Sequence, residues 1–182
     1  HPLPNGRLLT FGQSGTEEGA LTGMGLKIFD VQGNTATLLH DLYLGDGYSE
    51  VSTNHKAFTF VQDHFGPDQS LLLFPMTSSD SVGNVTTGLQ VAKVSAEQGI
   101  TLLGLLDHTK MVRSACSSTA SGMPSYCYYG YEAMRRGLMI GEEDGPTYVY
   151  SISYAGLAVH DLENLEKPLY ATSLPQADSF YY

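Results

Sequence analysis

Gly25-Leu26-Lys27-Ile28-Phe29-Asp30-Val31, Gly88-Leu89-Gln90-Val91-Ala92-Lys93-Val94 and Gly156-Leu157-Ala158-Val159-His160-Asp161-Leu162 are one phrase written three times. Each reads Gly-Leu-x-(Ile/Val)-x-x-(Val/Leu), a strand entered from a glycine turn. The copies stand 63 and 68 residues apart. A strand-length apolar or aromatic run precedes each copy: Arg7 to Gly12, Ser70 to Pro75 and Thr147 to Ser153. Thr147 to Ser153 alternates with period two, and the other two read as buried on both faces. A further strand follows each copy: Ala36 to Tyr43, Ile100 to Leu106 and Leu169 to Leu174. Turn-formers such as Gln32-Gly33-Asn34 and Ala96-Glu97-Gln98-Gly99 separate copy from follower.

Two units also have a lead strand, His55 to Val61 and Met134 to Ile140. For the first unit only His1 to Gly6 is available, which is short and Pro-rich. Repeated four-stranded antiparallel meanders are the pattern of β-propeller blades. The expected fold is therefore all-β, a β-propeller segment of about three four-stranded blades, the first lacking its lead strand. The expected organisation is a single domain fragment, 1–182, with blade units of about 1–45, 46–110 and 111–182. A β-sandwich would explain the strand count but not the repeated phrase. The period exceeds that of common propeller repeats, and the excess falls in two polar inserts, Thr77 to Thr87 and Arg113 to Gly130. Three blades leave two open apolar faces, so the ring is expected to be completed by remaining blades of the same polypeptide or by a second chain. The opening His1-Pro2-Leu3-Pro4, without Met, reads as a trimmed product and leaves secretion open.

Composition narrows the partners. The chain has 182 residues, 42% hydrophobic and 15% charged, which is globular. A net charge of −10 argues against nucleic acid or anionic membranes, whose phosphates it would repel. No stretch approaches the roughly 18 consecutive apolar residues of a membrane span. Cys116 and Cys127 are either two reduced thiols or a disulfide closing the polar segment between them; the disulfide, with an oxidising compartment, is the favoured expectation. Their spacing does not suit zinc.

Leu8-Leu9-Thr10-Phe11-Gly12, the first phrase, Tyr48-Ser49-Glu50-Val51, His55-Lys56-Ala57-Phe58 and the third phrase occur in that order. The progression resembles that of secreted bacterial and archaeal proteins with a C-terminal β-propeller domain distantly related to WD40 repeats. The resemblance runs from about Leu8 to Pro175. It implies a secreted or cell-surface propeller without assigned activity, and it brings no catalytic residues. Two features depart from that family. Gln13 to Glu18 carries two carboxylates where the family's loop is often Asp-rich, and the cysteine insert is foreign to it.

Candidate sites are sparse. Glu50 with His55 reads as structural polar pairing, with His55 a buried histidine, rather than an acid/base pair. His40-Asp41 and Asp107-His108 read as solvated outer-strand residues, and His160-Asp161 as a strand end whose Asp accepts turn N–H groups. Asp63, His64 and Asp68 could touch a cation, though such a turn is normally solvated, and calcium is conceivable at the acidic turn Glu142-Glu143-Asp144-Gly145 and at Glu17-Glu18; no cofactor is otherwise expected. No Gly-x-Ser-x-Gly elbow occurs, and Ser114 and Ser121 have no base nearby. Asn84-Val85-Thr86 is a glycosylation sequon. Tyr126, Tyr128, Tyr129 and Tyr131 surround Cys127 and form the candidate binding surface, with Phe180-Tyr181-Tyr182 as a second aromatic cluster. The expected function is an extracellular or cell-surface module binding a protein or a surface polymer such as a glycan, without catalysis. The alternative is an extracellular propeller hydrolase or lyase with its site in the central channel, completed by residues outside this chain.

Overall fold

The computed structural model describes residues 1–16, 18–117, 127, 133–141 and 145–174. Its strands form three antiparallel sheets. Sheet 1 runs in chain order through β1 (Pro2–Leu3), β2 (Arg7–Gly15), β3 (Leu21–Gln32) and β4 (Thr35–Gly45). Sheet 2 contains β5 (Gly47–Tyr48), β6 (Thr59–Val61), β7 (Ser70–Ser79), β8 (Val85–Ser95) and β9 (Gly99–Asp107), with β5 and β6 both pairing with β7. Helix α1 (Thr109–Ser117) follows. Sheet 3 is β10 (Met134–Gly141), β11 (Thr147–Ser153), β12 (Gly156–Asp161) and β13 (Tyr170–Ser173), again in chain order.

The repeated phrase is the third strand of each sheet: β3, β8 and β12. Its glycine has a different role from the expected turn. Gly25 and Gly88 lie inside strands, and none of the three has a positive φ. What they provide is close approach. A Cβ on Gly25 would stand 3.3 Å from the carbonyl oxygen of Leu42, and one on Gly88 2.5 Å from that of Leu106; on Gly156 it would strike the carbonyl of Thr172. At Gly88 the nearest obstacle is the main chain of the next strand; at Gly25 the Ser14 hydroxyl is nearer still, at 2.6 Å, and at Gly156 the Met111 thioether is nearest.

Alternation then sorts the phrase onto two faces. Leu26 and Ile28 pack with Leu72, Phe74 and Val94 between sheets 1 and 2. Leu89 and Val91, the same positions one repeat on, pack with Met134 and Val149 between sheets 2 and 3. Sheet 2 is covered on both faces, which is why Ser70 to Met76 is buried throughout. Arg7 to Gly12, expected to match it, is buried only at Leu9 because sheet 1 has one covered face. Each fully buried Leu or Val contributes roughly 1.5–3 kcal/mol by removing apolar surface from water.

Two local expectations are corrected, and the two polar inserts take on structure. The lead position of sheet 1 is not vacant: β1 fills its first two residues, folded back through Asn5 and Gly6 at φ 60° and 75°. His55 to Phe58 is a turn, and the strand starts at Thr59; Asn54 Oδ1 accepts from the Lys56 N–H at 3.1 Å and fixes the turn. The polar insert Thr77 to Thr87 lengthens the β7–β8 hairpin: it pairs from Thr77–Thr87 to Ser79–Val85 and turns over at 80–84. Arg113 to Ser117 is helical, in α1, whose Thr109 N–H is capped by Asp107 Oδ1 at 2.7 Å.

Candidate functional site

Two places gather functional groups. The first is buried between sheets 2 and 3. β9 delivers His108 to the start of α1, and β11 presents Ser151 and Ser153 on the face that carries Val149. His108 Nδ1 lies 2.9 Å from Ser153 Oγ, and Nε2 lies 2.8 Å from Ser151 Oγ. His160 is buried nearby, and its Nδ1 has no protein partner. Burial, and secondarily the charge His160 would carry, push the His108 pKa down to about 4, against a smaller opposing pull from Asp107. Burial also lowers His160. Both imidazoles are therefore neutral at pH 7. The pairing resembles a nucleophile with its base, yet His108, Ser151 and Ser153 are each at most 2% exposed, so a substrate has no access. These groups are polar pins that satisfy one another across a sheet interface.

Asp107-His108 thus corrects the expectation of a solvated dipeptide: Asp107 is exposed, but His108 is buried. The signal was available in Ser151 and Ser153, polar residues sharing a register with Val149 on a core-facing side.

The second place is a cavity of about 330 Å³ where sheets 1 and 2 meet, lined by His1, Leu8, Leu9, Thr10, Phe11, Leu26, Val51, His55, Phe58, Leu72 and Phe74. It is largely apolar, with the two imidazoles and Thr10 as its polar side chains. His55 is exposed, which corrects its reading as a buried structural histidine; Ala57 is the buried residue of that turn. Glu50 is the buried residue of the two, and its partners are Arg135 and Asn54. Its Oε1 accepts from Arg135 Nη2 at 3.0 Å and from Asn54 Nδ2 at 3.4 Å, tying sheet 2 to sheet 3. The structure therefore does not bring Glu50 and His55 into one dyad.

Other candidates serve the scaffold. Cys116 and Cys127 are joined by a disulfide. Asp41 pairs with Lys27 at 2.5 Å. Asp161 Oδ1 accepts from the Glu163 N–H at 3.0 Å, as a strand-end Asp should. Burial would raise the Asp68 pKa, but hydrogen bonds from Ser95, Ala96 and Glu97, with Arg7 nearby, outweigh it and lower it. Asp68 thus clamps the β8–β9 turn. Asn84 sits exposed at the β7–β8 hairpin tip, where its Nδ2 donates to Asp80 Oδ2 at 2.8 Å. Among the described residues no three His, Cys, Asp or Glu converge as metal ligands, and no helix is long and apolar enough to cross a membrane. Tyr126, Tyr128, Tyr129, Tyr131, Glu17, Ser121, Glu142, Glu143, Asp144 and Phe180 to Tyr182 lie outside the described residues.

Three successive antiparallel meanders of four, five and four strands, stacked face to face through the same residues of a repeated phrase, agree with a family comparison. A family model described as a beta propeller domain matches residues 1–165. The chain belongs to the beta propeller domain family. Sheets 1, 2 and 3 are accordingly blades, with β4, β9 and β13 as their final strands. No curated protein and no solved structure gave a significant match.

Proposed function

We propose that this propeller segment is an interaction module of an extracellular or cell-surface protein, engaging protein or surface polymer, and that further blades complete its ring. One observation carries the reading. Leu157 and Val159 occupy the positions of Leu89 and Val91, yet they are only half-buried, because among the described residues no strand covers that face of blade 3. Register places Ile152, Tyr150 and Leu138 on the same face, so an apolar, Tyr-bearing surface stands where the next blade would pack. The disulfide and the net charge of −10 support a secreted, non-nucleic-acid setting.

The alternative hydrolase or lyase reading draws on His1 and His55, which line one cavity. The two separate by experiment. The purified chain is assayed on panels of esters, glycosides, peptides and uronate polymers, with His55→Ala alongside. The interaction reading expects no turnover by either protein. Turnover lost in His55→Ala would overturn it.

A further inference from the structure

Lys and Arg are scarce in this chain, nine against nineteen Asp and Glu. Three of the nine, Lys56, Arg135 and Arg136, meet where β10 of blade 3 lies beside the 50–58 segment that leads blade 2. This seam joins two neighbouring blades, and polar contacts fix it. Thr59 Oγ1 donates to the Gly137 carbonyl at 2.8 Å, Arg136 Nη2 donates to the Lys56 carbonyl at 2.8 Å, and Arg135 Nη2 meets Glu50 Oε1 at 3.0 Å. Consecutive strand residues point to opposite faces, so two adjacent arginines would ordinarily part. A β-bulge prevents that here. Met134 and Arg136 pair with the consecutive residues Ser153 and Ile152, which leaves Arg135 as the extra residue. Such a bulge re-aims a side chain, and both guanidiniums reach the same segment of blade 2.

The charges at the seam differ in their partners. Arg135 faces the buried carboxylate of Glu50 and lies over the exposed Tyr154 ring, 4.8 Å from its centre. Arg136 gives one N–H to a neutral carbonyl and so keeps its charge; it and Lys56 are both exposed. Among the described residues neither has a carboxylate within ion-pair distance. Three cations against the one carboxylate of Glu50 make the seam locally positive in a chain whose net charge is −10. The main chain there is already taken. Arg136 occupies the Lys56 carbonyl, Thr59 occupies the Gly137 carbonyl, and Asn54 Oδ1 accepts from the Lys56 N–H at 3.1 Å. A peptide strand would find these groups closed to it, whereas a ligand read by side-chain charge would not need them.

We propose that this seam binds a carboxylate-bearing polysaccharide, with a uronate carboxylate held by Lys56 and Arg136 and a sugar ring against Tyr154. Arg136 offers the carboxylate the N–H groups that its bond to Lys56 leaves over, and Lys56 adds a point charge. The exposed Tyr154 ring supplies the flat apolar surface that a sugar ring packs on. The chain's overall negative charge does not oppose this, because exposed charges beyond about 8 Å are largely screened in physiological salt. The site rests on the surface-polymer form of the interaction-module reading and gives that polymer a chemistry.

Titration calorimetry of the full chain provides the test, with trigalacturonate as the probe and galactotriose and triglutamate beside it. Trigalacturonate is expected to bind in the millimolar range or tighter, and the neutral trimer at least about tenfold more weakly, since charge-assisted hydrogen bonds carry the recognition. Lys56→Gln changes an exposed side chain that has no described partner, and is expected to weaken trigalacturonate about tenfold while keeping the native circular dichroism spectrum. Arg136→Gln is expected to weaken it at least as much. A folded chain that ignores millimolar trigalacturonate would overturn the proposal. Equal binding of galactotriose, or undiminished binding by both variants, would overturn it too. Triglutamate binding more tightly than trigalacturonate would replace the polysaccharide with an acidic protein partner and leave the module reading standing. Cleavage of the bound trimer, seen as new reducing ends in the same samples, would break the module reading while this site stands.

Discussion

Leu89 and Leu157 hold the same place in the same phrase, one repeat apart, and meet opposite environments. Leu89 is completely buried, packed against blade 3 with Leu71, Leu73 and Val91. Leu157 stands on a strand of the same kind, before a glycine-tightened neighbour, and remains half-open. Sequence-local physics makes the strand in both. What differs is the partner sheet, so burial here is a property of the stack and not of the residue. The same contrast separates the edges of β7 and β2: one is covered in two pieces, and beyond Leu9 the other meets no described strand.

The largest effect should come from breaking the covered side. Leu89→Ala is expected to destabilise the fold by about 2–5 kcal/mol in urea unfolding, since a filled interface cannot fully collapse around the cavity. A loss below about 1 kcal/mol would mean that blades 2 and 3 are not mutually dependent.

Acid should attack the same interface. His108 has its pKa lowered to about 4 by burial, with His160 adding to the shift. An unfolded chain holds that proton more readily, so stability is full above the unfolded value near 6.5 and falls as pH drops toward 4. The expected loss is on the order of 3 kcal/mol from His108, read as a falling urea midpoint between pH 7 and pH 4. His108→Gln, which keeps polar contacts without titrating, should flatten that dependence. An unchanged slope in this variant would locate the acid sensitivity elsewhere.

Gly88→Ala tests the close approach of strands. A methyl there would press on the Leu106 carbonyl and Leu105 side chain, and the expected cost is about 1–3 kcal/mol, measured as a shift in urea midpoint. Leu157→Ala should have the smallest effect on the chain alone, below about 1 kcal/mol, because half of what Leu89 gains has no counterpart there. A cost equal to that of Leu89→Ala would show that the blade 3 face is already covered.

Much of the architecture was legible because its signal is local. The phrase, its alternation and its flanking runs locate β2, β3, β4, β7, β8, β9, β11 and β12, and the cysteine pair closed as the favoured expectation held. The candidate site was less legible for the same reason. His108 follows a strand, where sequence offers only an exposed-looking Asp-His pair; its burial is decided by Ser151 and Ser153, forty-odd residues away in another blade. His55-Lys56-Ala57-Phe58 has strand-like composition, yet the short helical turn from Glu50 to Ser52 and the Asn54 cap bend it into a turn that exposes His55 at a cavity. The role of the phrase glycine was hidden as well, since crowding by the next strand's carbonyl exists only after the sheet is formed.

The uncovered face of blade 3 is the centre of this account, and native against denaturing mass tests it most directly. Under denaturing conditions the chain weighs 19.7 kDa. Under native conditions the expected mass is larger, from self-association or a completing chain, and Leu157→Asp with Val159→Asp should return it to 19.7 kDa with the fold intact. A folded wild-type chain that stays monodisperse at 19.7 kDa in native solution would contradict the account.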